Sequence, residues 1–86
     1  MPLISSFYGI LIYMYFEDHN PPHFHVKYAE HWAQIKIADF TVLQGSLPPK
    51  ALGLVMEWAS IHKEELQENW NLMLREQPFK KINPLQ

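Results

Sequence analysis

The stretch Phe7–Tyr28 reads FYGILIYMYFEDHNPPHFHVKY, and its patterning decides the fold class. Phe7 to Phe16 is apolar or aromatic on both sides of a pleat. Tyr8, Ile10, Ile12, Met14 and Phe16 fall on one side, and Phe7, Gly9, Leu11, Tyr13 and Tyr15 on the other. Such a run reads as one central strand covered on both faces, with Gly9 marking a bulge or a close backbone approach. Glu17 to Pro22 ends it, because Pro21 and Pro22 cannot both continue a ladder. From His23 to Tyr28 the pattern alternates: Phe24, Val26 and Tyr28 form an apolar face, with His23, His25 and Lys27 opposite.

Downstream, Glu30 and His31 read as a turn. Trp32 to Ala38 alternates again, with Ala33, Ile35 and Ile37 inward and Gln34 and Lys36 outward. Asp39 and Phe40 read as a second turn, and Thr41 to Gln44 as a short fourth strand ended by Gly45. The connections are too short for parallel crossovers, so the expected unit is an antiparallel meander.

Pro48 and Pro49 suit the first turn of a helix, where a missing N–H costs nothing. Leu52, Val55, Met56, Ala59, Leu66, Trp70, Met73 and Leu74 then follow helical spacing. Ser60, Ile61 and His62 interrupt this stripe, and Glu64 and Glu65 favour a fresh N-terminus. An unbroken helix of about 28 residues would span roughly 42 Å, too long for so small a domain, so two helices broken near residue 61 are expected. Pro78 stops the second. The expectation is an α+β fold: a four-stranded antiparallel sheet (meander) followed by two C-terminal helices packed on one face. It forms a single domain over residues 1–86, with strands within 7–44, helices within 48–77 and an extended tail over 78–86 docked by Phe79, Ile82 and Leu85. One helical layer covers only one sheet face. Phe7, Leu11, Tyr13 and Tyr15 are therefore expected to need the tail or a second molecule, which makes a dimer the expected state.

Composition narrows the function classes. The chain has 86 residues, a length for one domain that buries roughly 60–65 % of its unfolded surface. It has no cysteine, which excludes disulfides, zinc–thiolate sites, iron–sulfur clusters and thiol nucleophiles. The net charge of −2 gives no bulk electrostatic signal for nucleic acid. No apolar run reaches the length of about 20 residues that a transmembrane helix needs. The N-terminus lacks a basic leader region, so a cytoplasmic location is expected. Walker, dinucleotide-binding, HExxH, GxSxG and helix-turn-helix patterns are not present in the sequence.

The chemistry-bearing residues cluster in EDHNPPHFH, residues 17–25. His23 and His25 are two apart, so on a strand they leave one face about 6.6–7 Å apart at the backbone and converge on one ion or anion. The Pro–Pro turn is stiff and can hold His19 or an acidic neighbour against the pair. The candidate metal ligands are His19, His23, His25 and Glu17, a nitrogen and oxygen set that suits a divalent ion such as Zn²⁺, Ni²⁺, Mn²⁺ or Fe²⁺. The same residues support a metal-free reading. Two histidines flanking a phosphodiester can act as general base and acid, with Lys27 stabilising developing negative charge. On that reading His19, His23, His25 and Lys27 are the catalytic candidates of a small ribonuclease. On a third reading the histidines are polar partners on a solvent-facing strand face. Tyr13 and Tyr15 could stack on bases or simply cover the sheet. His31 and His62 read as turn and helix-break residues.

The order P-x-I-S-x-F-Y-G-I-x-I-x-M-Y, E-x-H-x-P-P-H-F-H, G-x-L-P and E-W-x-x-x-H-K-E-E-L-x-x-N-W, spread from Pro2 to Leu85, resembles the bacterial domain-of-unknown-function 4160 family. The resemblance rests most on Glu17, His19, Pro21, Pro22, His23, Phe24 and His25. It implies a small bacterial protein encoded beside a partner in a two-gene, toxin–antitoxin-like module. It implies no reaction. Three functions follow as expectations: a module component that binds a protein partner through the His cluster, a small His-dependent or metal-dependent nuclease, and a metal-binding or purely structural interaction protein.

Overall fold

The computed structural model describes residues 2–86. Five strands come first: β1 (Leu3–Phe7), β2 (Ile10–Tyr13), β3 (His23–Tyr28), β4 (His31–Lys36) and β5 (Val42–Ser46). Two helices follow, α1 (Pro49–Ile61) and α2 (Lys63–Leu74). The strands form one antiparallel sheet in the order β1-β2-β3-β4-β5. The α+β class and the meander are as the sequence indicates, but the sheet has five strands rather than four.

The extra strand comes from Phe7–Phe16, which is not one strand. Tyr8 and Gly9 have φ values of 51° and 79°. Two successive positive φ values make a tight turn whose twist matches the strands it joins. Phe7 therefore pairs with Ile10 and shares its buried face, instead of lying opposite with Leu11 and Tyr13. The strands consequently begin at Leu3, outside the expected 7–44 range. At the other end β5 runs on to Ser46, and Gly45 lies within it, paired with Ala33. The β3–β4 turn is Ala29–Glu30, with His31 already in β4.

The inner face is built as the alternation requires. Phe24, Val26, Ala33 and Ile35 are at most 1 % exposed, and Phe24, Val26 and Ile35 join Ile10 and Ile12 in a core closed by Val55, Trp58, Leu66 and Trp70 from the helices. Each Phe, Val, Ile or Leu side chain among these contributes about 1.5–3 kcal/mol by leaving water. The helices break at His62, which ends α1 and begins α2, and its Nδ1 lies 2.6 Å from Glu65 Oε1. The longest dimension is 34 Å, shorter than the unbroken helix would be.

The tail carries no regular structure yet is docked. Ile82 is buried, with Phe79 and Leu85 packed against the core. The Ile82 amide donates to Ile4 O at 3.0 Å, and Trp58 Nε1 donates to Asn83 O at 2.8 Å. This packing lies on the helix side. The outer face, with Leu11, Tyr13, His25, Lys27 and Trp32, stays uncovered by helix or tail, and Trp32 is 51 % exposed.

Candidate metal centre

At one end of the outer face, three side chains meet. His23 and His25 project from β3 two residues apart, and their rings lie 5.0 Å apart. Asp18 reaches them from the β2–β3 connection. There Glu17, at φ 61°, turns the chain so that Asp18 faces β3. The Asp18 carboxylate divides its work. Oδ1 accepts the His19 amide at 2.9 Å. Oδ2 sits 3.1 Å from His23 Nε2 and 2.9 Å from His25 Nε2. One donor atom from each residue lies within 4.8 Å of the others.

The site is shielded. His23 is 5 % exposed and lies against Trp70, with ring centroids 5.5 Å apart. Tyr15 meets His25 edge-on at 4.5 Å. Burial pushes the Asp18 carboxyl up, but the His25 hydrogen bond, the His19 amide and the two nearby imidazoles together hold it below its ordinary value. Burial, Tyr13 and Asp18 push the Tyr15 phenol above its ordinary value, so it remains a neutral hydrogen-bond donor at neutral pH.

Hydrogen-bond direction adds a constraint. His23 Nδ1 lies 2.7 Å from Pro21 O. A carbonyl only accepts, so Nδ1 carries the proton and donates. In a neutral imidazole this leaves a lone pair on Nε2, aimed at the carboxylate oxygen. Two acceptors 3.1 Å apart need a positive species between or beside them, either a second imidazole proton or a metal ion. A backbone carbonyl fixing one ring nitrogen is also how metal-bound histidines are held.

Among the expected ligands, His23 and His25 are brought together. Glu17 and His19 are exposed and stand outside the group. The carboxylate present is Asp18, the neighbour of the one the sequence favours. Lys27 shares the outer face but is exposed and is not part of the group. Three protein donors can hold a divalent ion and leave a position for water or a substrate oxygen.

A family model described as a domain of unknown function, DUF4160, matches residues 9–71. No curated protein and no solved structure matches. The family match spans most of the chain, from the β1–β2 turn into α2, and contains Asp18, His23 and His25; the chain belongs to the DUF4160 family.

Proposed function

We propose that this protein binds a divalent metal ion through Asp18 Oδ2, His23 Nε2 and His25 Nε2. One observation carries the reading: the Pro21 carbonyl holds a proton on His23 Nδ1, so a neutral His23 turns its Nε2 lone pair toward the Asp18 carboxylate. The spacing supports it. Donors bonded at about 2.0–2.1 Å stand roughly 2.9 Å apart in octahedral and 3.3 Å apart in tetrahedral geometry. The two Asp18–His separations, 3.1 and 2.9 Å, fall at that scale. The metal-free acid–base reading gains no such support, because the two Nε2 atoms converge on one oxygen rather than flanking an open space. The donors suit Zn²⁺, Ni²⁺, Mn²⁺ or Fe²⁺, and an open coordination position suits an ion that takes a substrate oxygen or activates a water.

Thermal melts with each metal and with chelator test the reading. Metal at 100 times its Kd adds about 2.7 kcal/mol, which raises Tm by more than about 10 °C in a domain of this size. Asp18→Asn and His25→Ala abolish the increase, whereas Glu17→Gln and His19→Ala retain it. The increase fades as pH falls, because protons compete with the metal for the imidazole nitrogens. Wild-type melts that coincide with every metal and with chelator would refute the reading.

A further inference from the structure

We infer that the outer face of the sheet binds single-stranded RNA. The inference goes beyond the metal reading and does not depend on it. The first observation is charge segregation. The net charge of −2 comes from nine acidic and seven basic residues, yet none of the nine acids lies in a strand. Lys27 and Lys36 are the only Lys or Arg residues in the five strands. Both take outer-face positions, Lys27 opposite Leu11 and Trp32, and Lys36 opposite His23. The strands themselves therefore carry only positive charge, with Lys27 at the middle of the face and Lys36 at the end beside Asp39. Two acids stand at the rim of the face: Asp18, turned to two imidazoles, and Asp39, tied to Thr41 and close enough to Lys36 to feel its charge.

Ring placement is the second observation. Tyr13 and Tyr15 lie 6.3 Å apart with their planes within 17° of parallel. Trp32 is half exposed in the neighbouring row. A shallow depression of about 170 Å³ runs between Tyr13, Tyr15, His25, Lys27 and Trp32. Gln34 and Gln44, paired across β4 and β5, add amide donors and acceptors beside it. Trp32 is exposed, and Tyr13 and Tyr15 are half-buried; rings on a sheet stack bases, ammonium groups between them meet phosphates, and neutral amides reach ribose 2′-hydroxyls, and single-stranded RNA presents all three features. A second copy fits less well, because a two-fold contact through this face brings four strand lysines into one interface with no strand carboxylate to offset them.

The test is fluorescence anisotropy of a labelled ten-nucleotide oligo(U) titrated with the full chain in EDTA, so that failure to bind metal leaves the measurement intact. Saturable binding is expected. With two phosphate contacts it weakens about seven-fold between 50 and 200 mM salt. Trp32→Ala weakens it about ten-fold through lost stacking, and Lys27→Gln both weakens it and flattens the salt dependence. Tyr8→Ala, in the exposed β1–β2 turn and off this face, leaves it unchanged. Trp32, Lys27 and Tyr8 are exposed, and unchanged melts confirm that the variants fold. Absence of binding up to about 1 mM protein overturns the inference, as does an equal loss with Tyr8→Ala. Equal affinity for oligo(dT) overturns the assignment to RNA. Trp32-dependent self-association without oligonucleotide binding gives the face to a second copy instead.

Discussion

Asp39 shows how one exposed carboxylate holds a turn in this protein. Its Oδ1 accepts the Thr41 hydroxyl at 2.7 Å and the Thr41 amide at 3.1 Å, tying the β4–β5 connection. The Thr41 hydroxyl and amide hold the Asp39 carboxyl below its ordinary 3.8, against slight desolvation and with help from Lys36. A depressed carboxyl stabilises the fold when ionised. Its contribution is complete above pH 3.8 and is lost as pH falls through the lower folded value. In an NMR titration Asp39 should protonate below 3.8, and Thr41→Val should move it back toward 3.8. Titration at or above 3.8 in the wild type would show that the turn is open in solution. The candidate site is partly legible at this same scale. His23 and His25 announce themselves by their i, i+2 spacing on an alternating strand. Asp18 does not, because the choice between it and Glu17 depends on the left-handed φ at Glu17, which neither spacing nor composition reveals.

Among the elements, β3, β4 and the helices are readable because each carries one uninterrupted period. β1 is not, for two physical reasons. Its register shifts between Leu3 and Ser5, so Ile4 and Ser5 are both buried and LISSF shows no alternation. Tyr8 then occupies a left-handed position that glycine or asparagine usually fills, which disguises the turn as strand. Gly45 misleads for the converse reason: it looks like a strand terminator, yet it sits inside β5 at φ 77°. A Cβ there would lie 2.2 Å from Trp32 O. Gly45→Ala should therefore cost about 2–3 kcal/mol, from strain in the left-handed region plus displacement of β4. Gly53 offers the contrast. It is exposed within α1, and a Cβ added there would have no neighbour within 4 Å, so Gly53→Ala should stabilise by about 0.8–1 kcal/mol. Chemical denaturation of the two variants checks both signs. Equal effects would mean that the β4–β5 backbone contact is not kept in solution.

For the whole molecule, the informative boundary is the one drawn by the family match. Residues 9–71 exclude β1 and the tail, and these two segments hold each other through the Ile82–Ile4 backbone bond. Beside that bond and the Trp58–Asn83 bond, the tail is held by Asn69, 1 % exposed on α2. Its Nδ2 donates to Lys80 O at 2.9 Å, and its Oδ1 accepts the Lys80 amide at 2.8 Å. A side-chain amide that mimics a peptide group in this way docks the tail as a strand neighbour would. Each bond contributes about 1 kcal/mol net, and Asn69→Ala also leaves a cavity where the side chain was buried. The expected loss is about 2 kcal/mol, a fall in Tm of roughly 10 °C. Gln67→Ala, on the same helix and bonded only to Asn71, should stay within about 0.5 kcal/mol. Because the lost contacts belong to the tail, trypsin should cut after Lys80 and Lys81 faster in Asn69→Ala than in the wild type, at temperatures well below either melt. A lower Tm without faster cleavage would place the damage in the α2 packing instead, and unchanged values of both would mean that the tail does not rest on the core.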